Sequence, residues 1–189
     1  MPTPIGHALG AFAAGWIIAG PPASSPEPER ALAADGGRPT ASTLTGKWVR
    51  RAAAFAAIGL LADVDLALGI HSTYTHSIGA AVLVAVVAAA VVREQRLLLG
   101  AAAGAAYLSH VIFDLLSQDM SVPFGIMALW PISSAYYHSG LDLFLATDRR
   151  YWLDGFLVRN VQAVVRELLL VTPLAAAAWW VRRPRVRPR

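Results

Sequence analysis

The chain has 189 residues, a net charge of +4, 56% hydrophobic residues and only 15% charged ones. Soluble domains carry about 25% charged residues, so this composition excludes an ordinary soluble globule and predicts an all-α, polytopic membrane bundle. Cysteine is absent, which excludes disulfides and thiolate metal sites; any metal must be held by His, Asp, Glu or water, a donor set suited to zinc, manganese or iron.

About five helical segments are predicted. The first covers residues 4–19, with Pro4 placed in a first turn and Gly20-Pro21-Pro22 ending it. The chain before it lacks the basic stretch of a secretory signal, so this segment is expected to be retained. Residues 21–46 are rich in Pro, Ser, Gly and Ala and read as a flexible linker. The second segment, 47–70, opens with Lys47, Arg50 and Arg51 and carries Asp63 and Asp65; the third, 75–92, has no polar side chain after Ser77. Arg93-Glu94-Gln95-Arg96 makes a turn into the fourth, 97–117, which contains His110 and Asp114. Residues 118–155, with Pro123, Gly125, Pro131 and many aromatics, read as loops and short interfacial helices. The fifth segment covers 156–181 and ends in Trp179-Trp180, followed by a basic tail at 182–189 with five arginines. After so apolar a segment, the tail reads as an anchor to the cytoplasmic leaflet rather than a nucleic-acid arm. The whole is expected to be one membrane-embedded domain over 1–189.

The distribution of Lys and Arg gives a topology. Lys47, Arg50, Arg51, Arg93, Arg96 and the tail fall on the cytoplasmic side, with the linker, and residues 118–155 lie outside; Arg149, Arg150 and Arg159 are exceptions. Depth follows at about 1.5 Å per helical residue. His7 lies about 20 Å from Gly20, Asp63 and Asp65 about 18 and 21 Å from Arg51, His76 about 25 Å from Arg93, and His110 and Asp114 about 21 and 27 Å from Arg96. The rare ionisable residues of four segments thus share one band toward the outer leaflet.

Each is costly in an apolar helix unless paired or ligated. One or more cations would satisfy several carboxylates and imidazoles at once, whereas the alternative is a set of buried hydrogen bonds and ion pairs. His110 and Asp114 are spaced i, i+4 and share a helix face. Asp63 and Asp65 would point about 200° apart on a regular helix, so either one is a ligand and the other supports it, or the helix breaks there. His71 and His76 flank a polar turn, Ser72-Thr73-Tyr74-Thr75, that can cap the third segment. His138 and Asp142 repeat the His-x-x-x-Asp spacing in the outer loop, either completing the site or forming a solvated pair.

In this order the motifs resemble the YdjM-type family, inner-membrane proteins described as metal-dependent hydrolases and also labelled LexA-binding. Thr3-Pro4-Ile5-Gly6-His7 resembles its N-terminal His motif, and Leu60-Leu61-Ala62-Asp63-Val64-Asp65 its LLPDxD. His71 and Thr75-His76-Ser77 resemble HRGxTHS, Ser109 to Asp114 resembles THxxxD, and Leu129-Trp130-Pro131-Ile132-Ser133 resembles LWPFS. Ala62 replaces the proline, and Ser72-Thr73 replaces Arg-Gly, which removes an arginine that would contact an anion. The resemblance implies a hydrolase, and a more distant similarity to zinc phospholipase C and P1-type nucleases suggests phosphoester chemistry.

The expected function is therefore a membrane-bound, metal-dependent hydrolase acting on a phosphoester or lipid-like substrate. The expected ligands are His7, Asp63, His76, His110 and Asp114, with His71 and Asp65 as ligands or supporting partners and Asp65 as a candidate general base. Zinc is the expected metal, and membrane lipid with a small-molecule or lipid substrate the expected partners, with no role for nucleic acid. The rival is a non-enzymatic membrane protein, a metal transporter or a regulatory anchor. A transporter would need its site near the midplane with access from both sides.

Overall fold

The structure, a computed structural model, describes residues 2–22, 41–68, 71–120, 122–148 and 150–183. These are helical throughout, without a multi-residue strand: α1 (Pro4–Ala19), α2 (Ala41–Ile58), a 3-10 helix (Leu61–Leu68), α3 (Ile78–Val91), α4 (Arg96–Leu115) and α5 (Phe156–Arg182). By length and composition, α4 and α5 are long and apolar enough to cross a membrane. The apolar helices α1 and α3, at 16 and 14 residues, extend about 24 and 21 Å, short of a hydrocarbon core of about 30 Å.

Local chemistry sets the boundaries. Thr3 caps α1, its hydroxyl accepting from Gly6 N at 3.4 Å, and Gly20 ends the helix at φ +62°. Residues 41–46, expected in the linker, already belong to α2, and the rest of the linker, 23–40, lies outside the described residues. The expected second segment is two elements: α2 stops before Gly59, and the acids sit on the 3-10 helix that follows. A Cβ on Gly59 would lie 2.2 Å from Ala11 Cβ, so α1 and this break approach too closely for any other residue. Ser77, not the turn 72–75, caps α3, accepting from Ala80 N at 3.1 Å. The short helices expected within 118–155 are not present among the described residues. Pro123 and Pro131 lack an N–H, and Gly125, Gly140 and Asp142 take positive φ; the stretch instead makes turns and two isolated bridges, Ser117 with Phe144 and Ile126 with Tyr137. Of the tail, 184–189 lie outside the described residues.

Helix α1 packs on α2, α4 and α5, and α4 also carries α3. The interfaces are built from small residues. Gly100 and Gly104, one helical turn apart on α4, face α3: a Cβ on Gly100 would meet Ala85 O at 2.7 Å and Ala89 Cβ at 2.8 Å, and one on Gly104 would meet Ala85 Cβ at 2.7 Å. Large apolar residues turn outward instead: Val82, Leu83, Val86 and Val91 on α3 and Leu157, Leu169, Leu174 and Trp180 on α5 are each more than half exposed. Small residues inside and large apolar ones outside are the pattern of helices packed in lipid.

Three features mark one end of the bundle. Arg51 and Arg182 donate to the last carbonyls of α1, Gly20 O at 3.3 Å and Ile18 O respectively. Trp16, Trp48 and Trp179 cluster beside them, with ring centroids 5.1 and 6.1 Å apart. The loops 116–148 cover the opposite end, where the first turn of α1 and the last turns of α4 lie.

Candidate metal centre

The seven candidate residues come from four parts of the chain. His7 comes from the second turn of α1, Asp63 and Asp65 from the 3-10 helix, His71 and His76 from the turn before α3, and His110 and Asp114 from α4. That turn is held on all sides. His76 N donates to Thr73 O at 3.0 Å, Tyr107 Oη to Thr75 O at 2.7 Å, and Met127 N to Ser72 O at 3.1 Å. The Leu-Trp-Pro motif braces it further: Ala128 O and Trp130 O accept from Ile78 N and Gly79 N, two of the unpaired donors at the start of α3, at 2.9 and 3.0 Å.

His7, Asp63, His76, His110 and Asp114 converge. His76 Nε2, His110 Nε2 and Asp114 Oδ2 form a triangle with sides of 3.2, 3.1 and 3.3 Å. Asp63 Oδ1 lies 3.8 and 3.7 Å from the same two nitrogens. His7 Nε2 is 3.4 Å from Asp114 Oδ1, and its ring stacks on His110 at 3.6 Å. Among the described residues, two triads have donor atoms close enough for one ion: His7, His110 and Asp114, all buried, and Asp63, His71 and His76, partly open. The triangle joins them. Asp63 and His71, with side chains 24% and 20% exposed, form the open side, while His76 and His110 are fully buried.

The proton positions follow from the outer partners. His110 Nδ1 is 2.7 Å from Gly59 O, an acceptor, so Nδ1 carries the proton and Nε2 presents a lone pair. His76 Nδ1 faces Asp65 Oδ2 at 3.2 Å, which again leaves Nε2 as a lone pair. The triangle is therefore three electron-pair donors facing one another, a repulsive arrangement unless a cation or a proton sits among them. Neither oxygen of Asp114 has a hydrogen bond despite full burial of its side chain, and His7 Nδ1 is likewise unsatisfied. The neighbours of Asp114 are the imidazoles of His7, His76 and His110, and a buried carboxylate costs several kcal/mol unless such partners carry a proton to it or a cation joins them. Ligands about 2.05 Å from a tetrahedral zinc lie about 3.3 Å apart, which the triangle matches. The donors thus fit a metal ion.

Asp65 stands on the far side of His76. It accepts from Thr75 Oγ1 at 2.5 Å and contacts His71 Nδ1 at 2.9 Å as well as His76 Nδ1. His76 is thereby held between carboxylates on both sides, Asp114 and Asp63 at Nε2 and Asp65 at Nδ1. His138 and Asp142 are not part of the cluster: they pair at 3.5 Å, and His138 Nε2 donates to Ser117 O at 2.9 Å. The sequence reading named Thr75 only as part of a turn and a motif, and passed over Tyr107 and the Gly59 carbonyl, which carry no signal as single residues. It also passed over Glu167, a lone acid in an apolar helix and so as visible as Asp114.

No curated protein and no solved structure matches the chain. The family described as YdjM inner membrane protein matches residues 1–185, nearly the whole length and every motif of the site, and the chain belongs to that family of membrane proteins.

Proposed function

We propose that the protein is a membrane-embedded, metal-dependent hydrolase that cleaves a phosphoester or lipid-like substrate with a metal-activated water. The observation that carries this reading is the triangle of His76 Nε2, His110 Nε2 and Asp114 Oδ2, three lone-pair donors at ligand spacing with both Nδ1 protons committed elsewhere. A zinc ion held there would lower the pKa of a bound water to about 7 and polarise the scissile group. His7, on the second oxygen of Asp114, and Asp63, at the open side, complete the ligand set. Asp65 orients His76 and His71 and keeps His76 in the tautomer that ligates, as a carboxylate behind a metal-bound imidazole does. That position removes it from the Nε2 face, so the proton-accepting role expected of Asp65 falls to the oxygen of Asp63 that does not face the two imidazoles, on the carboxylate that substrate and water can reach.

The topology supports a site open to the outer leaflet. In our reading all five α-helices cross or enter the bilayer, with the bilayer thinned around the shorter two or their crossing incomplete. The Arg51, Arg182 and Trp end, the linker and the tail then lie in the cytoplasm, and the 116–148 loops outside. The cluster sits near the loop-covered end, away from the midplane, which favours hydrolysis over transport. Two of the three exceptions to the charge rule share one counter-ion: Arg150 and Arg159 both bind Asp148, at 3.2 and 3.0 Å, and Arg149 lies outside the described residues. The Arg150 backbone N–H and both guanidinium groups hold the Asp148 carboxyl below its usual range. This tie holds at neutral pH and is released only as pH falls through that lowered value.

Purified protein reloaded with zinc or manganese should hydrolyse a phospholipid or a generic phosphoester, and His110→Ala should not. Tight metal binding without cleavage of any ester in such a panel would reject the hydrolase and favour the transporter or regulatory anchor.

A further inference from the structure

Glu167 is the only acid in α5 and is 1% exposed, yet the metal chemistry does not use it. Its carboxylate accepts from both the backbone N–H and the hydroxyl of Thr3, the cap of α1. The carbonyl of Thr3 in turn accepts from the N–H of His7 at 3.2 Å. Gly6 leaves room for this contact, since a Cβ there would lie 2.8 Å from Glu167 Cδ. At the other end of α1, Arg182 of the same helix α5 binds Ile18 O. Glu167 and Arg182 are 15 residues, about 22 Å, apart on α5, close to the length of about 24 Å of α1. A buried anion at the positive end of α1 and a cation at its negative end match the helix dipole.

Apart from Arg51 on Gly20 O, at the end of α1 far from His7, the rest of the α1 surface supplies little that is directional. It meets its neighbours through Gly10, Ala11 and Gly15 against Phe113, Phe55 and alanines. Apolar contact is non-directional, and a slip of one residue moves the helix about 1.5 Å and turns His7 by about 100°. Carboxylate bonds to a fixed N–H and hydroxyl are directional.

We propose that Glu167 is a positioning residue of the metal centre: by clamping Thr3 it fixes the height and rotation of α1 at which His7 stacks on His110 and faces Asp114. The motif Thr-Pro-x-Gly-His then has a role at each named position: Thr3 is the clamped cap, Pro4 the first helical residue, Gly6 the space for the carboxylate and His7 the ligand. The inference rests on the metal-centre reading, and its test separates the two.

The test titrates cobalt(II) into full-length, detergent-purified wild type, Glu167→Gln, His7→Ala and the double variant, following the ligand-field absorption. Glu167→Gln should weaken binding about 10- to 100-fold, the range for residues that orient ligands, and alter the spectrum, with helical content unchanged. In the His7→Ala background it should cost nothing more, because its effect runs through His7. Unchanged affinity, or the same loss in both backgrounds, overturns the proposal. Gly6→Ala, which displaces the carboxylate without removing it, stands in if Glu167→Gln does not fold and should give the same pattern. Should wild type bind no cobalt, the metal-centre reading fails, and amide exchange over residues 3–8 decides on the clamp alone. Faster exchange in Glu167→Gln supports it, and equal exchange overturns it.

Discussion

Both oxygens of Asp114 are buried without a hydrogen bond, while His7, His76 and His110 crowd within 3.4 Å of them. At the residue scale this arrangement is costly unless a proton or a cation sits among the donors, so a metal that enters the site would couple its binding to local stability. The same logic ranks the substitutions. Asp65→Asn keeps the shape behind His76 but can no longer hold its Nδ1 proton with a charge; metal affinity should fall about 10- to 100-fold, read by competition with a chelator, and unchanged affinity would deny Asp65 its orienting role. His138→Ala should leave metal affinity within about twofold of wild type in the same assay, because its partners are Ser117 O and Asp142 and not the cluster; this estimate follows from the near-independence of sites that share no partner.

At the scale of elements, the α3–α4 interface decides whether His76 and His110 meet. Ala81, Ala85 and Ala89 on α3 lie against Gly100 and Gly104 on α4, and His76 sits just before α3 begins. Gly104→Leu would press a side chain into Ala85 and should destabilise the protein by about 1–3 kcal/mol, seen as a lower thermal midpoint in detergent together with weaker metal binding. A midpoint equal to wild type would mean that the interface is looser than its distances imply. Much of this was legible in the sequence: apolar runs and Arg-Glu-Gln-Arg gave α3, α4 and α5 nearly to the residue, and the i, i+4 spacing put His110 and Asp114 on one face. The break between α2 and the 3-10 helix was not, because its cause is the approach of Ala11 from α1, a tertiary contact to a single glycine. The loop 118–155 was misread where it was given helices, since its aromatic and apolar residues lack a helical period and its prolines and positive-φ residues prevail. Asp63 and Asp65 were correctly seen as diverging, but only the placement of His76 between them shows what each one faces.

For the molecule as a whole, the proposed orientation rests on the charges at the two ends of the bundle. Arg51 and Arg182 bind neutral α1 carbonyls at one end and keep their full charge there, whereas Arg150 and Arg159 share the counter-ion Asp148 at the other. Reporter fusions at Ala34 and after Arg189 should both report the cytoplasm; a periplasmic signal at either would reverse the bundle and turn the open side of the cluster the other way. The central claim, that the His and Asp residues form a metal centre, is tested most directly by the divalent metal content of the detergent-purified protein after stripping and repletion with zinc. Wild type should retain at least one tightly bound ion per chain and His110→Ala should lose it, whereas a wild type that holds no more metal than His110→Ala would reduce the cluster to polar contacts between helices and contradict the account.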